Sequence, residues 1–254
     1  MTVFALKLLA ALSMLVDHVG WLLGAKRLIS NEVYILLRTL GRFAMPIYCF
    51  LMAEGWRQLR REPELLRRHF RFLLVLAAVS EVLFDWYFHA DPVNPGHQSV
   101  IITLLLGFCA LTLAGQEQGR ALPALLICGS AGVLGYLLSS DYRMAGVLLV
   151  CGFGWYLCRF ETWEPGLRLL ALTGILGAYF AFLTWSGTGF GGPAALLRGL
   201  ARQGWYILPH LLLVPLLAAY NGRLGPRIPA LHRCYQWFYP LHLAVLSVIA
   251  AILG

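Results

Sequence analysis

The sequence predicts an all-α fold: a polytopic transmembrane helix bundle of about nine spans, with its N-terminus in the cytoplasm. Of 254 residues, 59% are apolar and only 13% are charged, about half the charged share of a soluble domain. Mean hydropathy is +0.71. The apolar residues come in successive runs of membrane-crossing length, and Arg and Lys gather at alternate connections between them. The runs consume the chain, so residues 1–254 read as a single domain.

The first run, Val3–Leu23, meets the length of about 20 apolar residues that a span needs. One basic residue, Lys7, precedes its middle and no small-residue cleavage signature follows, so it reads as an uncleaved span rather than a signal peptide. Asp17 and His18 sit at its centre. An aspartate there costs about 2.5–3.5 kcal/mol even on the lenient insertion scale. The face shared by Met14, Asp17, His18 and Trp21 must therefore point into protein or a wet cavity.

The second run, Glu32–Met52, places Arg38 and Arg42 at i, i+4 on one helical face. The connection after it holds Arg57, Arg60, Arg61, Arg67, Arg68 and Arg71, which marks it as cytoplasmic. Two further readings attach to this stretch: an amphipathic helix with Leu59, Leu65, Leu66 and Phe70 toward lipid, and a dock for an anionic cofactor. The third run, Phe70–Phe88, carries Glu81 and Asp85 one turn apart. Val100–Ala114, Leu122–Leu138, Met144–Cys158 and Leu167–Trp185 follow. The Gly-rich connection Thr184–Pro193 neither follows a strand nor resembles a phosphate loop, so it takes no nucleotide role. Gly204–Tyr220, with His210, and Cys234–Leu253, with His242, complete the set. Alternation then puts Arg120, Arg159, Arg168, Arg223, Arg227 and Arg233 on the cytoplasmic side and leaves Lys26, Arg27, Arg143, Arg198 and Arg202 outside.

Composition excludes several classes. The net charge of +8 comes from residues at helix ends rather than a basic arm, so nucleic acid is not an expected partner. Six cysteines are scattered singly through apolar runs, with no CxxC pair and no His/Cys spacing suited to zinc. Neither a metal site nor a disulfide framework is expected.

The polar residues inside the spans carry the functional reading. Counted by helical rise from the cytoplasmic ends, His18 lies roughly 22 Å deep, Glu81 and Asp85 roughly 16 and 22 Å, and Arg42 and Arg38 roughly 15 and 21 Å. His210 lies roughly 9 Å below the outer side. Unpaired ions at this depth would oppose insertion, so the two arginines are expected to meet the carboxylates. The pairing is either a static lattice or the wall of a cavity that orients a reactant. His242 is expected nearer the inner side, bonded to a carbonyl. Glu54, at the inner end of the second run, is expected to reach water.

Six blocks, LKLLAALSMLVDHVG, LRTLGRFAMPIYCFLMAEGW, SEVLFDWYF, QSVIITLLLG, SSDYRMAGVLLV and YQWFYPLHL, resemble in order those of the TraX family, typified by the F-pilin acetylase of conjugative systems. The resemblance spans nearly the whole chain. It picks out Asp17 and His18, Gly41, Arg42 and Pro46, Ser80, Glu81 and Asp85, Asp141 and Tyr142, and Tyr239, Pro240 and His242. The chain departs from the family pattern at Ser99-Val100-Ile101-Ile102, where the family tends to have Asn and Phe, which bears on acceptor identity.

The resemblance implies a multi-pass protein of the bacterial inner membrane that moves an acetyl group from cytoplasmic acetyl-CoA to an outer acceptor such as a pilin N-terminus. His18 would be the base, Asp17 would hold its ring, and Glu81 and Asp85 would belong to the same centre. Arg42, with Arg38, would bind the pantetheine carbonyls or the oxyanion, and Arg57 and Arg60 would receive the CoA phosphates. Alternative expectations are acetylation of a surface polysaccharide or lipid-linked glycan, a proton-coupled transporter, which also wants intramembrane acids and histidine, and a purely structural pilus-assembly subunit.

Overall fold

A computed structural model describes residues 1–254 apart from 92, 118, 119, 203, 227 and 254, with the side chains of 202, 204–210, 229, 230, 232 and 233 also outside it. His210, Arg202, Arg227 and Arg233 therefore lie outside the described side chains. The described chain is helical: α1 Val3–Ala25, α2 Asn31–Gly41, α3 Ala44–Leu59, α4 Pro63–His89, α5 Val100–Ala114, α6 Ala121–Leu137, α7 Arg143–Leu157, α8 Pro165–Gly187, α9 Pro193–Arg202, α10 Gly204–Ala218 and α11 Pro229–Ile252. No strand occurs among the described residues, which hold one isolated bridge, Gln98 to Ser140.

A helix stands at the position of every expected span. Among the described residues, six segments are long and apolar enough to cross a membrane: α1, the α2–α3 stretch Asn31–Leu59, α4, Val100–Glu117, α8 and Cys234–Ile252. α6 and α7 are shorter apolar helices. This is a multi-pass, all-α membrane protein.

Three expectations need correction. The second run is not one helix. It tightens at Arg42, whose N–H bonds Thr39 O at 3.2 Å, and restarts at Ala44. Pro46 explains the restart, because it falls in the first turn of α3, where its missing N–H removes no helical bond. Arg42 is consequently the C-cap of α2 and not the i, i+4 partner of Arg38 on a continuous helix.

The Arg-rich connection shrinks to residues 60–62, because α4 starts at Pro63 rather than Phe70. Its leucines do not form a lipid-facing stripe: Leu65 is exposed, whereas Leu66 and Phe70 pack against the core. The third correction is α9, a helix no apolar run announced.

α1 is the axis of the packing, touching α2, α3 and α11, while α11 also lies along α4. On the far side α3, α5, α6, α7 and α8 stack on one another. Small residues let α5 and α7 meet closely: a Cβ on Gly107 would stand 2.6 Å from Val150 Cβ, and one on Gly154 would stand 2.3 Å from Leu111 Cδ2. The loop before α11 closes over the start of α1, Arg223 O and Leu224 O accepting the N–H groups of Val3 and Phe4 at 2.9 and 3.0 Å. Those donors would otherwise be orphans of the first turn.

Candidate active site

His18 and His242 form the centre. Their rings are nearly parallel, 4° apart, with His18 Nδ1 2.6 Å from His242 Nε2. Both are buried, at 9% and 6% exposure. His242 Nδ1 lies 2.8 Å from Phe238 O. A carbonyl only accepts, so that nitrogen carries the proton, and His242 Nε2 must accept from His18 Nδ1–H. In the neutral pair this chain of bonds leaves His18 Nε2 with its lone pair. An aromatic wall of Tyr87, Phe88 and Tyr239 surrounds His18, ring centroids 5.6–6.4 Å away.

In the sequence the apolar run that holds His242 starts at Cys234, which sets His242 nearer the inner side. α11 begins five residues earlier, which lifts His242 to about 20 Å along it, level with His18. The carbonyl bond was expected; the imidazole partner was not. A signal existed: Leu231, Tyr235, Phe238 and His242 share one face of α11 at helical spacing.

Asp17 does not hold the His18 ring. Successive residues on a helix diverge by about 100°, and Asp17 turns to α2, where its carboxylate binds Arg38 at 2.5 Å. Arg42 hydrogen-bonds Tyr142 and lies within electrostatic reach of Asp17 and Tyr179. Tyr142 and its neighbour Arg143 have positive φ, 61° and 44°. Non-glycine residues hold that conformation at about 1–3 kcal/mol each, mostly where a site needs it.

Glu81 and Asp85 are not part of an ion-pair lattice with the arginines. Both Glu81 oxygens accept the Ser99 N–H, at 3.0 and 3.2 Å, and Asp85 Oδ2 accepts the Asn94 N–H at 2.7 Å. They pin residues 94–99 over this end of the bundle. The same loop meets residues 139–142 through Gln98 N–H to Ser139 O at 3.1 Å and Asp141 N–H to Gln98 O at 2.8 Å. Thr103 ties in as well, its hydroxyl donating to Asp141 O.

The proposed phosphate arginines have other commitments. Glu54 is buried, at 1% exposure, not solvated as expected, because Arg57 grips it through two nitrogens at 2.8 and 2.9 Å and Gln58 adds a third bond at 2.7 Å. Arg57 also bridges to Glu161 at 3.2 Å. Arg60 lies over the Trp56 ring and 3.3 Å from Cys158 Sγ.

Below the imidazoles, between α1 and α11, runs a cleft of about 540 Å³. Its α1 wall extends from Val3 through Lys7 and Ala11 to Leu15, and Phe238 lines its upper end. Leu15 precedes His18 by one turn, and the Phe238 ring stacks on His242 at 5.0 Å.

These features define a class: an all-α, multi-pass membrane protein whose buried imidazole pair is walled by aromatic rings, with an apolar cleft beneath it. The TraX protein family matches residues 3–250, and the chain belongs to that family. It is 26% identical over 249 residues to a protein of Dichelobacter nodosus called "Probable fimbrial assembly protein FimC, serogroup H1", covering 96% of this chain and 93% of that one. No solved structure matches it.

Proposed function

We propose that this chain is an integral-membrane acetyltransferase of the bacterial inner membrane, passing an acetyl group from cytoplasmic acetyl-CoA to an amine or hydroxyl on the outer side. The observation that carries this reading is the lone pair left on His18 Nε2 by the bonded chain His18–His242–Phe238 O. A neutral, buried imidazole of fixed tautomer is what a general base for acyl transfer requires.

In the reaction the acceptor nitrogen attacks the thioester carbonyl carbon while His18 Nε2 takes its proton. The carbon–sulfur bond then breaks, and the thiolate leaves with the proton the imidazolium returns. The products are the acetylated acceptor and the free CoA thiol. Arg42, held by Tyr142, would steady the oxyanion of the tetrahedral intermediate. Asp17 would act through Arg38 rather than on the base. Glu81 and Asp85 would be positioning residues, keeping the 94–99 segment over the site.

The relative named as a probable fimbrial assembly protein favours a pilin-type acceptor over a glycan. The test is mass spectrometry of surface pilins with and without this protein, looking for a gain of about 42 daltons, one transferred acetyl group. In purified protein His18→Ala is expected to lose acetyl transfer while keeping the thermal midpoint of the folded bundle. Wild-type rates in that variant would refute the assignment.

A further inference from the structure

We propose that the α1–α11 cleft is the lane by which the acyl donor reaches the imidazoles, with Lys7 as the cation for the donor's phosphate; this rests on the acyl-transfer reading. Three observations converge on it. The first is reach. Lys7, Leu15 and His18 follow one face of α1, and Lys7 precedes His18 by about 16 Å of helix axis. A ligand with its anion at Lys7 and its reactive end at His18 Nε2 must be a long, narrow arm, which is the form of a phosphorylated pantetheine thioester.

The second is charge. Lys7 is the one cation among the described lining residues, and its ammonium lies 5.0 Å over the Tyr235 ring. None of the ion pairs among the described residues includes it. A cation in an apolar cleft without a counter-charge is costly, and a phosphate would supply one. Arg223, exposed and next in the chain to the lining residues Leu224 and Gly225, is a second positive charge nearby. The third is the rival site: Arg57, nominated from the sequence, already spends its guanidinium on Glu54 and Glu161.

Two native thiols read the answer. Cys234 is exposed and lines the cleft, while Cys158 is exposed beside Arg60. The purified protein in lipid nanodiscs is alkylated with a maleimide, with and without acetyl-CoA, and each cysteine is followed by peptide mass spectrometry. Acetyl-CoA at about ten times its Kd is expected to slow Cys234 labelling about tenfold, by mass action, with Cys158 unchanged. Lys7→Gln is expected to lose that protection at the same concentration. Acetyl-pantetheine, lacking phosphate, is expected to protect both proteins alike.

Protection of Cys158 alone would overturn the lane and return the donor to Arg57 and Arg60. Turnover without protection at either thiol would also overturn the lane, leaving acyl transfer standing. Undiminished Cys234 protection in Lys7→Gln would overturn the role of Lys7. Absence of both protection and turnover in folded protein would end the acyl-transfer reading, and the lane with it.

Discussion

Gly41 lies directly against Asp17: a β-carbon on Gly41 would stand 2.3 Å from Asp17 Cβ and 2.1 Å from Asp17 Oδ1. That contact lets the end of α2 meet α1 where Arg38 reaches the carboxylate. Gly41→Ala must push the two helices apart, because a Cβ and a short side chain cannot swing away. Overpacking of this kind costs about 1–3 kcal/mol. The expected outcome is a lower thermal midpoint in detergent together with reduced acetyl transfer. An unchanged midpoint would show that the helices separate freely.

The Asp17–Arg38 pair has side chains only 15% and 17% exposed. Removing one partner strands the other's charge, so Arg38→Gln is expected to destabilise by up to about 3–5 kcal/mol, the cost of breaking a buried pair. The double variant Arg38→Gln/Asp17→Asn should recover part of that loss. A double-mutant cycle of denaturation midpoints measures the coupling, and strict additivity would mean the pair contributes nothing.

His242 is expected to serve by fixing the tautomer of His18. His242→Phe removes the acceptor for Nδ1–H and should lower kcat about a hundredfold, the lower end of what a positioned base supplies, with KM for acetyl-CoA little changed. His242→Gln offers an amide oxygen in the same region and should recover much of the rate. Equal losses in both variants would reduce His242 to packing.

The loop over the site should loosen with rising pH. His97 Nε2 is 3.8 Å from Asp141 Oδ1, an ion pair rather than a tight hydrogen bond, and the carboxylate holds the His97 pKa above its ordinary 6.5. A group whose pKa is raised by folding gives stability that is fully present below the unfolded value and lost as pH climbs through the folded one. Hydrogen exchange of residues 96–99 and 139–142 should therefore lose protection, beyond the intrinsic pH effect, from about pH 6.5 upward. Asp141→Asn should flatten that dependence.

Much of the fold was legible because a bilayer leaves the chain few choices. Val100–Ala114 was read to the residue, and α1 to within two. What failed was local. The run from Glu32 to Met52 dips in hydropathy across Arg38, Thr39, Gly41 and Arg42, and that dip, with Pro46 just beyond it, is the mark of the restart. The start of α11 was hidden because Pro229 to Arg233 is not apolar enough to count as span, and five residues of helix displaced His242 by about 7 Å. At the site the residue types were right and several partnerships were wrong. Coulomb reasoning paired Glu81 and Asp85 with arginines, whereas they hold backbone N–H groups of a loop whose path no periodicity encodes. The resemblance assigns the neighbour in sequence, Asp17, to the His18 ring, although one step along a helix turns a side chain away.

The two imidazoles are separated by 224 residues of chain. A ribosome-bound intermediate, however many of its early helices have entered the bilayer, holds His18 without the ring that orients it. On the acyl-transfer reading, competence arises only once α11 docks beside α1, and truncations lacking α11 are expected to insert yet stay chemically silent.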